Sequence, residues 1–261
     1  MRAAPAALPT VERADPTGGR ATVAVGCRDL VKVYGAGATA VRALDGIDLD
    51  FAAGTFSAIM GASGSGKSTL MHCLAGLDSV TSGQVILGGT DLTALRDGPL
   101  TRLRREQVGF VFQSFNLLPT LTAEQNIRLP LELAGKRVDR AWFDHLVDVL
   151  GLRDRLRHRP SELSGGQQQR VAVARSLVTR PVVIFADEPT GNLDSRSGAE
   201  VLAFLRQSVR ELGQTVVMVT HDPLAASYAE RVVLLADGRL SGEILDPTPD
   251  SVIGTLREMG S

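Results

Sequence analysis

Nine residues, Gly61-Ala62-Ser63-Gly64-Ser65-Gly66-Lys67-Ser68-Thr69, constrain this chain more than any other stretch. The apolar run Phe56 to Met60 leads into them, and Leu70, Met71, Cys73 and Leu74 follow at helix spacing. A glycine-rich turn between strand and helix lets successive backbone N–H groups converge, while the helix N-terminus adds partial positive charge. The string fits G-x-x-x-x-G-K-[ST], a phosphate-binding loop, and at this composition it arises by chance in roughly one such sequence in 250. Lys67 is placed to reach the β/γ phosphates, and the Ser68 hydroxyl to hold Mg²⁺.

Composition narrows the class further. The chain has 261 residues and a formal charge of -1, enough for one generous domain and too neutral for a sequence-independent grip on nucleic acid. Lysine is scarce: of 28 basic residues only Lys32, Lys67 and Lys136 are lysines. Cys27 and Cys73 match neither a disulfide framework nor a metal-ligand spacing. No apolar run approaches the ~20 residues of a membrane-spanning helix. Near the N-terminus Pro5, Pro9, Glu12 and Asp15 break any leader-like pattern, so a cytoplasmic chain is expected, reaching a membrane only through a partner. The alternating Arg153, Arg155, Arg157 and Arg159 are interleaved with Asp154 and Leu156 and read as a solvated surface.

Residues 1–23, rich in Ala, Pro and Gly, read as a tail. Strand-like segments follow at Leu30–Tyr34, Ile47–Phe51 and Phe56–Met60, then a helical middle from Thr122 to Leu163 with Pro130 and Gly135 as interruptions. In the last third, Val182–Ala186, Val216–Val219 and Val232–Leu235 are continuous β-branched runs suited to parallel strands covered on both faces. The helical segments Gln168–Thr179, Ala199–Leu212 and Pro223–Ala229 accompany them, and the tail after Ile244 is short and amphipathic. Strand–helix alternation predicts an open α/β sheet with ligands at the carboxyl ends of its strands.

Asp187-Glu188 closes one such strand, which puts an acidic pair at the ligand-binding edge, beside the phosphate loop if the strands are neighbours. Asp187 then partners Mg²⁺, directly or through water, and Glu188 is the candidate general base. A second glycine loop, Leu163-Ser164-Gly165-Gly166-Gln167, also opens a helix but carries no lysine. Alone it is a helix cap, and one nucleotide has no obvious need of two such loops.

In order along the chain, a phosphate loop, Gln113, Leu-Ser-Gly-Gly-Gln, Asp187-Glu188-Pro189, Asn192-Leu193-Asp194 and His221 resemble the ABC-type ATPase subunit over about residues 27–246. The resemblance implies a P-loop NTPase (RecA-like) α/β core with an N-terminal antiparallel β subdomain and an inserted α-helical subdomain at about 114–165, the domain spanning 24–247 and a short tail 248–261. In that family two copies pack head to tail, which implies that Ser164, Gly165, Gly166 and Gln167 close over ATP held by the partner's phosphate loop. It further implies that Tyr34 stacks on adenine, that Gln113 contacts Mg²⁺ and the attacking water, that Asp194 joins the two sites, and that His221 contacts the γ-phosphate. On spacing alone Tyr34 is equally a packed strand-end aromatic, while Gln113 reads rather as a solvated glutamine and His221 as a turn residue or helix cap.

The stretches His72–Asp78, Phe110–Pro119 and Ala186–Ser195 are most similar to the macrolide-exporter, lipoprotein-release and cell-division type, with Gln125 where Glu is expected. The implied protein hydrolyses ATP, dimerises on it and drives a transmembrane permease in export or mechanotransmission, peripheral at the inner face of the cell membrane. An importer or a cell-wall regulatory complex is the alternative. A P-loop kinase would need an acceptor site and lid and has no use for the Ser164 loop. A DNA or ribosome ABC protein would carry a coiled-coil insertion or two ATPase units. A scaffold would have lost Lys67, Glu188 or His221.

Overall fold

A computed structural model describes residues 22–259. Of the expected N-terminal tail, residues 1–21 lie outside the described residues, and Val23 already begins a strand. Strands β1 (Val23–Tyr34), β2 (Val41–Ala52), β4 (Ser82–Leu87) and β5 (Thr90–Asp91) form an antiparallel sheet in the order β2-β1-β4-β5. Between β2 and β4 come β3 (Phe56–Met60) and helix α1 (Lys67–Leu74). After β5 the chain runs through α2 (Asp97–Gln107), β6 (Val108–Phe112), α3 (Ala123–Leu133), α4 (Arg140–Val149) and α5 (Gly165–Leu177). It then alternates β7 (Val183–Asp187), α6 (Ser195–Leu212), β8 (Val216–Val219), α7 (Pro223–Ala226) and β9 (Arg231–Ala236), and finishes with β10 (Arg239–Leu245) and α8 (Pro249–Met259).

The second sheet has the order β10-β9-β3-β8-β7-β6, parallel throughout except for the antiparallel edge strand β10. Its strands are continuous apolar runs because both faces are covered. Ile184 and Ala186 join a core with Trp142, Phe143 and Val171, whereas Val183 and Phe185 join another with Leu70, Met71 and Phe51. The sheet is thus a wall between two cores, and each buried branched or aromatic side chain in it contributes about 1.5–3 kcal/mol.

Several elements differ from their sequence-based bounds, each for a local reason. Pro130 does not interrupt its helix: α3 runs through it to Leu133, because so near the end its missing N–H costs one ladder bond. Gln125, in place of the expected Glu, completes a capping box: Thr122 N–H donates to Gln125 Oε1 at 2.9 Å and Gln125 N–H to Thr122 Oγ1 at 3.3 Å. Helix α6 starts at Ser195 and not Ala199, because Asp194 accepts from the N–H groups of Arg196 and Ser197. Helix α7 is a single turn ending at Ala226. Within the segment expected as a tail, Pro249–Met259 form the helix α8, with Val252 fully buried in the larger core. Among the described residues no helix is long and apolar enough to cross a membrane.

Candidate active site

The carboxyl ends of four parallel strands meet along one edge. Strand β3 delivers the Gly61–Thr69 loop, β6 delivers Gln113, β7 delivers Asp187 and Glu188, and β8 delivers His221. The strand bearing the acidic pair is not the neighbour of β3, since β8 stands between them. His221 therefore lies between the loop and the acids in strand order.

In the first loop, Gly66 precedes α1 with φ 101°, and a Cβ there would sit 2.5 Å from the Ala43 carbonyl oxygen. Only glycine meets both demands. No side chain caps α1, so its first-turn N–H groups are free for an anion. Lys67 Nζ donates back to the carbonyls of Gly61 (3.0 Å) and Ala62 (2.7 Å). Burial pushes the Lys67 ammonium below its ordinary range, and the charges of Glu188 and Asp187 pull it back up. Ser65 Oγ is buried without a hydrogen-bond partner, while Ser68 and the segment Ala62-Ser63-Gly64 are exposed. An uncapped helix, an orphaned hydroxyl and an inward-folded ammonium fit a phosphate chain.

Asp187 ends β7, and burial pushes its carboxyl above the usual range, with Glu188 pushing the same way and His72 and Lys67 opposing. Glu188 has φ 47°, a left-handed conformation that costs a non-glycine residue about 1–2 kcal/mol. Its N–H donates to Val219 O at 2.9 Å, which stitches the turn to β8. Both carboxylate oxygens are held: His221 Nδ1 lies 2.8 Å from Oε1, and Thr220 Oγ1 donates to Oε2 at 3.3 Å. Thr220 is fully buried. Backbone strain together with a carboxylate gripped at both oxygens indicates a group whose position matters.

Gln113 is tied to the loop after β7: its Nε2 donates to Asn192 Oδ1 at 3.2 Å, and Asn192 Nδ2 donates to its carbonyl at 3.1 Å. The fully buried Gln169 on α5 donates to Phe112 O and to Pro189 O, so it joins the residue before Gln113 to the residue after Glu188. Around the second loop the neighbours are different. Ser164 Oγ accepts from Gln167 N–H at 3.3 Å and Gln167 Oε1 from Ser164 N–H at 2.9 Å, a closed capping box. A Cβ on Gly166 would lie 2.9 Å from Ser197 Oγ, and one on Gly165 would touch Leu193 and Phe115. The loop thus packs against the Asp194 segment. The Ser197 N–H, donating to Asp194 Oδ1 at 3.0 Å, holds the Asp194 carboxyl below the usual range. Tyr34 ends β1 on the other sheet and is 42% exposed.

Ser68, Asp187 and Gln113 offer a hydroxyl, a carboxylate and an amide, the hard oxygen donors that suit Mg²⁺. Among the described residues no group of three His, Cys, Asp or Glu is placed to hold a metal ion. The spacing of motifs misses Thr220 and Gln169, and it names Asn192 without giving it a role. Gln169 stands in a run of three glutamines where nothing local marks the buried one.

The ABC transporter family profile matches residues 44–191. Macrolide export ATP-binding/permease protein MacB of Escherichia coli K12 is 51% identical over 217 residues, covering 82% of this chain and 33% of that protein. The protein of the same name from Marinobacter nauticus is 50% identical over the same length. The chain thus spans about a third of the length of these curated relatives. Among solved structures, the ATP-binding cassette MJ0796, a dimer in a post-hydrolysis state bound to ADP and Pi, aligns with TM-score 0.77 at 40% identity, covering 86% of this chain and 99% of that one. CbiO1 of Clostridium perfringens, part of the ABC transporter complex cbiONQ, aligns with the same TM-score at 27% identity. With the site geometry, these likenesses show that the chain belongs to the ABC transporter family, as one of its ATPase cassettes.

Proposed function

We propose that two copies of this chain pack head to tail around two ATP molecules and drive a membrane permease in an export or mechanotransmission cycle. The observation that carries the reading is the grip of Thr220 and His221 on Glu188 at the sheet edge that also bears the phosphate loop. The first-turn amides of α1 and Lys67 receive the phosphates, Lys67 exchanging its two loop carbonyls for phosphate oxygens. Mg²⁺, held by Ser68, Asp187 and Gln113, would neutralise charge on the β- and γ-phosphate oxygens. The Ser164–Gln167 loop of the second copy closes over the γ-phosphate, so each chain needs the other to complete its site. Glu188 accepts a proton from the attacking water, and His221, released from Glu188, contacts the γ-phosphate. Loss of that phosphate removes what both chains hold in common, and the dimer reopens. Asp194, in the segment against which the second loop packs, carries the link.

A groove of about 420 Å³ supports a permease partner. It lies between β6, α3 and α5, is lined by Phe110, Leu129, Pro130, Leu133 and Arg175, and leaves Leu133 63% exposed. The chain would then lie at the inner face of the cell membrane, held there by the permease. The curated relatives named for macrolide export favour export. A permease with four membrane helices and a large external domain, in the same protein or in a neighbouring gene, is expected; six helices with a binding-protein gene would overturn the export reading.

Glu188→Gln should retain ATP binding and lower turnover by about 10²–10⁴-fold. Light scattering should then show an ATP-dependent dimer that persists. Hydrolysis at the original rate, with no dimer on ATP, would sink the assignment.

A further inference from the structure

Of the three lysines, Lys67 serves the phosphate loop and Lys136 forms an exposed ion pair with Glu106, which leaves Lys32 to be explained. It is only 6% exposed, an unusual place for an ammonium. Its Nζ donates to Asp78 Oδ1 at 2.7 Å and to Ser79 O at 2.5 Å, and it lies 4.7 Å from the centroid of the Tyr34 ring. Asp78's other oxygen accepts the Tyr34 hydroxyl at 2.6 Å. Asp78 itself hangs from the end of α1, its N–H donating to His72 O at 3.2 Å. Burial pushes the Asp78 carboxyl up, but hydrogen bonds from Lys32 and Tyr34 outweigh it and hold the group below the usual range. Tyr34 is therefore fixed at its tip to the residue that hangs from the C-terminal end of the phosphate-loop helix, with a buried cation against its ring and much of its surface still open.

We propose that Lys32 and Asp78 are positioning residues for the nucleotide base: they lock the Tyr34 ring at a fixed place relative to the phosphate loop. This rests on the reading that Tyr34 stacks on adenine. A free tyrosine at a strand end would lose ring freedom each time a base bound, whereas a clamped one has lost it already. The ammonium draws on the ring's electrons, which favours stacking of a purine on the open surface. Arginine, otherwise this chain's habitual cation, has a planar fork that cannot replace a compact ammonium in so closed a place.

The test measures equilibrium binding of ATP and of inorganic triphosphate, which has no base, together with steady-state hydrolysis by the full chain. Lys32→Met, Lys32→Arg and Asp78→Asn should each weaken ATP binding and raise KM by about three- to tenfold, a share of what base–aromatic stacking contributes. Triphosphate affinity should not move, and kcat should stay within about twofold. Tyr34→Phe keeps the ring and cuts only its tip, so it should show the same direction of effect without disturbing a buried charge. Triphosphate weakening in step with ATP would overturn the proposal, since the residues would then act through the phosphate loop. So would unchanged ATP affinity in the Lys32, Asp78 and Tyr34→Phe variants while Tyr34→Ala weakens it. If Tyr34→Ala itself leaves ATP binding unchanged, the stacking role of Tyr34 fails, and the positioning role fails with it.

Discussion

The two glycine loops open helices of similar burial but opposite local chemistry. At α1 no side chain satisfies the first turn, a buried serine hydroxyl lacks a partner, and the lysine folds back on its own carbonyls. At α5 the Ser164–Gln167 capping box satisfies the helix end from within. The first loop is unfinished without a ligand, and the second is finished in the single chain. A loop already content alone can be offered to a neighbour's nucleotide at little cost, because folding does not depend on that contact. The first loop carries instability as a condition of binding.

Lys67→Ala should have the largest effect, lowering kcat/KM for ATP by about 10³-fold or more as phosphate contacts vanish. Binding assays on the variant should show the loss in the single chain. Ser164→Ala is expected to leave single-chain nucleotide affinity intact and to lower turnover by about tenfold or more, since its contact arises only in the dimer. Mixing these two impaired variants sharpens the contrast. In a head-to-tail pair one site receives both wild-type loops, so a 1:1 mixture should recover up to about a quarter of the wild-type rate. No recovery would mean that each second loop serves its own chain.

Stability should separate the loops on a smaller scale. Burial raises the Asp187 carboxyl, so its ionised form costs the folded chain stability at neutral pH and costs nothing below the range of an unfolded carboxylate. Asp187→Asn should therefore raise Tm by roughly 2–4 °C at pH 7, with the gain shrinking as acid titrates the wild-type group, even as hydrolysis is lost. Last come the two serines, where opposite signs are expected. Ser164→Ala removes a cap and should destabilise by about 1 kcal/mol. Ser65→Ala removes an unsatisfied buried hydroxyl and should be neutral or stabilising by up to about 1 kcal/mol. Thermal melts of the nucleotide-free chain decide both.

Much of this was legible in residues alone, where the signal is local. The runs at Val183–Asp187 and Val216–Val219 announce themselves by β-branched content, and the phosphate loop by glycine spacing between strand and helix. What escaped depends on pairing across the chain. Nothing in the order of segments says that β8 inserts between β3 and β7, because parallel register is set by contacts far apart in sequence. Lys32 meets Asp78 46 residues away, and Gln113 meets Asn192 79 residues away. The cap by Asp194 was local, yet the helix start was set four residues late because Ser195, Ser197 and Gly198 obscure the apolar period.

The interposed strand β8 also governs the order in which the chain can assemble. Strand β3, which carries the phosphate loop, has both its neighbours, β8 and β9, near the far end of the chain, with Phe56 paired to Val216 and Ser57 to Arg231. During synthesis at about 5–20 residues per second, β3 would wait on the order of ten seconds or more for its first partner. The antiparallel sheet, whose strands pair with near neighbours in sequence, can form and shelter the apolar face of α1 during that interval. A nascent chain thus lacks both strands that flank its nucleotide loop until almost the whole domain has emerged.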